Sequence, residues 1–276
     1  MADDSGWREW DERVAQDLRT DVPHPARMYD YYLGGKDNFP ADREAAEAVI
    51  KAYPPSRATA RANRDFLGRA VRFTADDLGI RQFLDVGTGI PTQGNTNAVA
   101  HEVAPDARVL YVDNDPIVLT HARALLAHGD EGQRTQVMLG DLRDPAAVLA
   151  EAGKILDLGQ PVALMLVAIL HFLRDQEKPG DIVRLLMSEL PAGSALVLSH
   201  ATTDFASREA ITEGKQIYDQ ASAPFVPRSG ADVMDLFAGL DLVEPGLVQA
   251  PFWRPDGEPP AHAKEISLYG AVGVKR

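Results

Sequence analysis

The chain has 276 residues, 45% hydrophobic and 25% charged, close to the globular average and without a low-complexity run that would favour disorder. Its 41 acidic residues against 28 basic ones leave a formal charge of −13 and a pI of about 4.9, so its surface repels phosphate backbones and nucleic acid is a poor partner. Cysteine is absent, which excludes disulfides, thiolate nucleophiles and thiolate zinc sites together.

This length is long for a bare doubly wound domain and short for two, which predicts one core fold with an added segment. Residues 1–81 carry helical patterns and no strand signal. They predict a helical N-terminal extension, residues 1–81, packed beside a core of residues 82–276. The opening MADDSGWREWDERVAQDL is acidic and amphipathic, unlike the basic start and apolar run of a secretory signal, so a cytoplasmic protein is expected. The helical pattern breaks at DVPHPARMYDYYLGGKDNFPAD, where Arg27, Tyr29, Tyr31, Tyr32 and Asn38 crowd a segment interrupted by Gly34-Gly35. Those tyrosines can anchor a helical hairpin, with the glycines as its stop. The arginines of Ser56 to Arg72 recur around a helix with Asp65 among them, which reads as a solvated face with some residues lining a site.

From Gln82 onward short apolar runs alternate with helical patterns, as in βαβ units that close a parallel sheet. QFLDV, RVLYVD, TQVMLGD, PVALMLVAI and GSALVLSHA read as strands one to five. Helices are predicted over NTNAVAHEVA and from Asp115-Pro116, Asp144-Pro145 and Pro179-Gly180-Asp181, where an acidic cap or a proline suits a first turn. Two more follow, around Ala206 to Ala221 and Gly230 to Gly239. The closing runs DLVEPGLVQA and EISLYGAVGVKR, joined by the Pro- and Gly-rich PFWRPDGEPPAH, should pair antiparallel. The apolar run Pro161 to Leu170 is far too short to span a bilayer, so no membrane association is expected.

FLDVGTGIPTQGNT starts where strand one ends, at the carboxyl edge on which doubly wound sheets bind ligands. Gly87 and Gly89 permit positive φ and close backbone approach. A dinucleotide fingerprint would place a third glycine at Thr92, and the Asp85 carboxylate would repel a pyrophosphate while attracting an amino group. Asp113 at the end of strand two could accept both hydroxyls of a ribose. Asp141 at the end of strand three could accept from an adenine amino group while Leu142 packs on the ring. An Asp after a strand is also a common cap, the role given to Asp115 and Asp144, each followed by Pro.

In these residues the chain resembles the class I S-adenosylmethionine-dependent methyltransferases. The resemblance implies an α/β fold: a Rossmann-like, doubly wound, seven-stranded sheet with a reversed antiparallel C-terminal hairpin. It implies that Asp85, Gly87, Thr88 and Gly89 hold the methionine part of S-adenosylmethionine, Asp113 with Asn114 the ribose, and Asp141 with Leu142 the adenine. Pro91 departs from the family's third glycine. ARMYDYYLGGKDNFPADREAA, NRDFLGRAVR and FLDVGTGIPT further resemble a long-uncharacterised actinobacterial methyltransferase family, a likeness that spans nearly the whole chain and implies no acceptor. With that cofactor, the N-terminal tyrosine-rich segment has a second reading as a lid. Arg27 would then meet the methionine carboxylate and Tyr32 the sulfonium, with Asn63 on the next helix as a further contact.

Methyl transfer from a sulfonium is an in-line displacement in which alignment alone supplies on the order of 7–11 kcal/mol. If a base is needed, His171 just past strand four leads, and His200 at the end of strand five follows. A histidine between Leu170 and Phe172 is more often a packed structural residue. Phe205, Tyr218, Phe225 and Trp253 can line an acceptor pocket or pack in the core. No metal-ligand spacing is present. A methyltransferase acting on a small molecule and releasing S-adenosylhomocysteine is the favoured function, a non-catalytic S-adenosylmethionine sensor the alternative, and a nicotinamide oxidoreductase a third.

Overall fold

The computed structural model describes residues 19–91, 94–120 and 134–276. The amphipathic stretch at residues 1–18, Thr92, and the helix predicted from Pro116 beyond residue 120 lie outside the described residues.

Among the described residues three helices precede the first strand: α1 (Pro25–Leu33), α2 (Pro40–Ala52) and α3 (Ser56–Asp76). Pro25 and Pro40 open their helices at the position where a missing N–H costs nothing. Gly34 ends α1 at a φ of 85°, the stop read from the sequence. Buried Asp42 joins the first two helices: its carboxylate accepts from the backbone N–H of Phe39 at 2.8 Å and of His24 at 2.8 Å.

The sheet contains β1 (Gln82–Val86), β2 (Arg108–Asp113), β3 (Thr135–Leu139), β4 (Ala163–Val167), β5 (Ala195–Ala201), β6 (Asp241–Leu242), β7 (Val248–Gln249) and β8 (Leu268–Val274). Its order is β3-β2-β1-β4-β5-β8-β6, with β7 also on β8. The first five strands are parallel, and β8 runs antiparallel to β5, β6 and β7. This is the Rossmann-like sheet with a reversed C-terminal hairpin. It has eight strands and not seven because DLVEPGLVQA, read as one strand, pairs as two short pieces. Pro245 has no N–H to give a ladder, and Gly246 turns at a φ of 83° while donating to Val243 O at 2.8 Å. The order reverses between β2-β1 and β4, which opens the crevice for a ligand at the carboxyl ends of these strands.

Among the described residues the helices between strands include α4 (Thr96–Val103), α5 (Pro145–Ala152), α6 (Pro179–Ser188), α7 (Arg208–Tyr218) and α8 (Gly230–Asp235). Alternate residues of β1 enter opposite cores: Phe83 packs with α3 and α4, while Leu84 and Val86 pack with α5, α6 and α8. On the first face Trp253 stands edge-on to Phe66 and Phe73 at 5.4 and 5.9 Å between ring centres. Arg69 of α3 fixes that connection by donating to Trp253 O and Ala250 O, each at 2.8 Å. A third cluster joins α1, α2 and α3 to α7 through Met28, Tyr32, Ala46, Val49, Ala60 and Tyr218. Among the described residues no helix is long and apolar enough to cross a membrane.

Candidate active site

The carboxyl ends of β1 to β5 open into one cavity of about 450 Å³, whose wall is completed by α1, α2, α3 and α7. That size is within the usual range of small-molecule sites. Gly87 has a φ of 77°, and a Cβ there would sit 2.4 Å from Ile169 Cγ1, so both the turn and the packing require glycine. Gly89 turns at 66° and donates its N–H to Asp113 Oδ2 at 2.9 Å. Thr88 lies in the wall between them.

Asp85, Asp113 and Asp141 stand where the strand reading put them, and all three line the cavity with Asn114 and Leu142. Asp85 is buried and accepts from Thr96 Oγ1 at 2.6 Å. Asp113 takes Asp115 N on Oδ1 and Gly89 N on Oδ2, both at 2.9 Å, which leaves each oxygen capacity for a further hydrogen bond. Asp141 is more exposed and pairs with Arg143 Nη1 at 3.2 Å. Asp144 caps α5 by accepting from Ala147 N, and Asp115 accepts from Ile117 N, the capping roles assigned to them. Asp115 also has a second contact, because its Oδ2 lies 3.2 Å from His24 Nδ1.

Burial pushes the Asp85 and Asp113 carboxyl groups up to about 6. Between the ordinary carboxylate range and that value the folded chain holds protons that the unfolded chain has released, so these two groups make stability fall as pH rises through the window. Burial lowers His171 and His200, whose contribution runs the other way below their ordinary value. Stability is therefore a poor reporter here, and ligand affinity a good one. A ligand that donates hydrogen bonds to either carboxylate is expected to bind about tenfold more weakly for each pH unit below 6 per group. Calorimetric titration from pH 5 to 8 checks this, and a flat profile would remove both carboxylates from the contact.

The β4 and β5 side of the cavity differs in chemistry. Ala168 leaves β4 at a φ of 56°, a strained setting for a non-glycine residue, held by its N–H on Ser199 Oγ at 2.9 Å. The turn that follows carries His171 and Phe172 into the wall. The backbone N–H of Ala201 donates to His171 Nδ1 at 3.2 Å, so the neutral ring carries its proton on Nε2. Burial, with His200 and Arg228 beside it, holds His171 well below its ordinary value. Protonating Nδ1 would set two N–H groups against each other. This opposes the general-base role read for His171 and makes it a hydrogen-bond donor. His200 is fully buried and engaged at both nitrogens, with Ala201 O at 2.7 Å and Arg228 Nη1 at 3.0 Å. Phe172, Tyr218 and Phe225 form an aromatic wall in which Tyr218 stacks on Phe225 at 5.1 Å.

A family model described as S-adenosyl methyltransferase matches residues 11–276. The chain belongs to that family. As a member of the S-adenosyl methyltransferases, it is similar to a DUF574 family protein from Streptomyces avermitilis MA-4680, at 45% identity and a TM-score of 0.88 over 93% of this chain and 99% of that one. It is similar also to a proposed methyltransferase from Thermobifida fusca YX, at 38% identity and a TM-score of 0.86 over 94% of this chain and 97% of that one. An S-adenosylmethionine-dependent methyltransferase from Anabaena variabilis ATCC 29413 shares the fold at 17% identity and a TM-score of 0.50, over 75% of this chain and 84% of that one. No curated protein matches the chain.

Among this methyltransferase's N-terminal residues, Arg27, Tyr29, Tyr32 and Asn63 line the cavity, whereas Tyr31 and Asn38 do not. Arg27 is held on one side only, and its Nε is buried without a hydrogen-bond partner. Its Nη2 donates to Arg19 O and Val22 O at 3.3 and 3.0 Å, and its Nε lies 3.4 Å from Asp42 Oδ1. Asn63 spends its amide between Tyr29, to whose hydroxyl it donates at 2.9 Å, and Ser199, from which it accepts at 2.6 Å. The guanidinium that sequence reasoning missed is Arg64. It lies in the wall over the Tyr29 ring, and its Nε is buried without a hydrogen-bond partner. The signal was there: Arg64 interrupts the stripe formed by Ala60 and Leu67, four residues before and three after. Of the four aromatic residues named for an acceptor pocket, Tyr218 and Phe225 line the cavity. Trp253 is fully buried against α3, and Phe205 is half-exposed and packs on Tyr269.

Proposed function

We propose that this protein transfers the methyl group of S-adenosylmethionine to a small-molecule acceptor in the same cavity and releases S-adenosylhomocysteine. The observation that carries this reading is the division of one covered cavity into an acidic half at β1 to β3 and an aromatic half at β4, β5 and α7. The first half fits the cofactor. Asp85 and the Gly87-Thr88-Gly89 backbone would hold the methionine part, with Asp85 facing its ammonium. Asp113 with Asn114 would take the ribose, and Asp141 with Leu142 the adenine. Both arginines keep a buried Nε without a hydrogen-bond partner; Arg64, which among the described residues donates to no backbone carbonyl, suits the methionine carboxylate, while Arg27, whose Nη2 is held by two, braces the cover of which Tyr32 and Asn63 are part.

Once bound, the sulfonium supplies a methyl group that leaves a neutral thioether, so no acid is required. The chain's own task is then to orient the acceptor and exclude water, which the closure by α1, α2 and α7 serves. A second half lined for another ligand favours an enzyme over a sensor, which needs cofactor contacts only. Calorimetric titration with S-adenosylmethionine and S-adenosylhomocysteine, with NAD as control, tests the cofactor. Saturable binding of the adenosyl pair alone is the expected result, and no binding by the folded protein would overturn the reading.

Arg64→Ala separates the two arginines. It is expected to weaken S-adenosylhomocysteine about 10- to 100-fold, the range of one hydrogen bond to a charged group, and to leave adenosine affinity unchanged. Arg27→Ala is expected to lower the melting temperature first. Equal losses for adenosine and S-adenosylhomocysteine in Arg64→Ala would refute the carboxylate contact.

A further inference from the structure

From Val167 onward the residues that line the cavity include no Asp, Glu, Lys or Arg. No carboxylate there can receive an amine acceptor, and no guanidinium fork can receive a carboxylate. The polar side chains facing that half, hydroxyls and His171, can all donate a hydrogen bond. The Tyr32 and Tyr218 hydroxyls are buried and adjoin each other. His171 presents its Nε2–H, since its lone pair on Nδ1 is taken by the backbone of Ala201. Burial keeps both phenols protonated, Tyr32 well above its ordinary value and Tyr218 pushed up to about 12. His200, the next histidine, lies behind the wall with both nitrogens engaged. Among the described residues this half therefore has donors for an anionic oxygen and no side chain free to remove a proton near neutral pH.

We propose that the acceptor is a hydroxylated aromatic compound acidic enough to arrive as its phenolate, received against Phe172, Tyr218 and Phe225 with its oxyanion hydrogen-bonded by Tyr32, Tyr218 and His171. The inference rests on the methyltransferase reading above and adds the acceptor's class and ionisation state. In the transfer a lone pair of the phenolate oxygen forms the O–C bond, the S–C bond breaks with its pair left on sulfur, and both charges are neutralised. No proton leaves in that step, which is why an acceptor half without a base among its described residues suffices.

The test uses 4-nitrophenol, whose phenolate absorbs visibly, titrated against the full-length protein with and without S-adenosylhomocysteine. Binding as the phenolate is expected, with the bound probe about tenfold more acidic than the free one. Tyr32→Phe and Tyr218→Phe, which keep the rings, should each reduce that shift. With S-adenosylmethionine present, a series of substituted phenols should be methylated with a pH profile that follows each phenol's own ionisation. Binding of the neutral phenol, no binding, or methylation of benzoates or anilines in preference to acidic phenols would overturn the proposal. Calorimetry with S-adenosylhomocysteine distinguishes the failures. If it binds and phenols do not, only the acceptor class falls; if neither binds, the methyltransferase reading falls with it.

Discussion

Asp113→Ala is expected to abolish measurable binding of S-adenosylmethionine and S-adenosylhomocysteine while the chain stays folded. Under the proposed assignment this carboxylate accepts two ribose hydroxyls, and each hydrogen bond to a charged group contributes about 1.5–3 kcal/mol, so the affinity loss is on the order of 10²–10⁴-fold. Two opposing effects keep the stability change small. Removing Asp113 strips the acceptor from Gly89 N and Asp115 N, at a cost of about 1–3 kcal/mol for each donor that water does not reach. It also removes a carboxylate whose burial is itself unfavourable, as its upward shift to about 6 records. Calorimetry and a thermal melt on the same sample separate affinity from folding. Unchanged affinity in a folded variant would refute the ribose assignment.

Arg228→Ala is expected to cost about 3–5 kcal/mol of stability, because Arg228 is buried and the buried acceptors it serves would each lose a donor at about 1–3 kcal/mol. Its Nη1 donates to Leu170 O at 3.1 Å and His200 Nε2 at 3.0 Å, and its Nη2 to Leu173 O at 3.0 Å and Asp175 Oδ1 at 2.8 Å. Without it, carbonyls of the turn after β4 and a nitrogen on β5 lose their donor. For a chain of this size the melting temperature should fall by roughly 6–20 °C. Function should divide along the cavity. S-adenosylhomocysteine affinity should change little, since Arg228 touches nothing at β1 to β3. The KM of an acceptor should rise, because the loosened turn carries His171 and Phe172. A loss of cofactor affinity equal to the loss in acceptor KM would contradict the two-part cavity.

The alternation of short apolar runs with helical patterns was enough to determine the parallel sheet, because a strand buried on both faces and a helix with one apolar stripe leave different local periods. The reversed hairpin was legible from two late strands with no helix between them. Its split into β6 and β7 is a local effect of Pro245 and Gly246 that the same segment contained. The acidic half of the cavity was legible for the same reason: Asp85, Asp113 and Asp141 end consecutive strands, and parallel strands with a common direction bring their ends together.

The identity of the polar atoms that meet across the cavity was decided by the tertiary structure alone. Arg27 and Arg64 are both arginines on helices facing one cavity, and only the approach of two backbone carbonyls ties down the Nη2 of the first. His171 loses its lone pair to an N–H 30 residues away, a contact created by the parallel pairing of β4 with β5. Trp253 is taken into the core against Phe66 and Phe73 of α3, some 180 residues earlier, where Arg69 also donates to its carbonyl. By itself the sequence determined which elements form and which ends of strands carry acids, because local period and turn chemistry act over a few residues. The tertiary structure decided which of those groups remain unsatisfied and so able to bind, because hydrogen bonds between distant segments depend on where the packed elements place them.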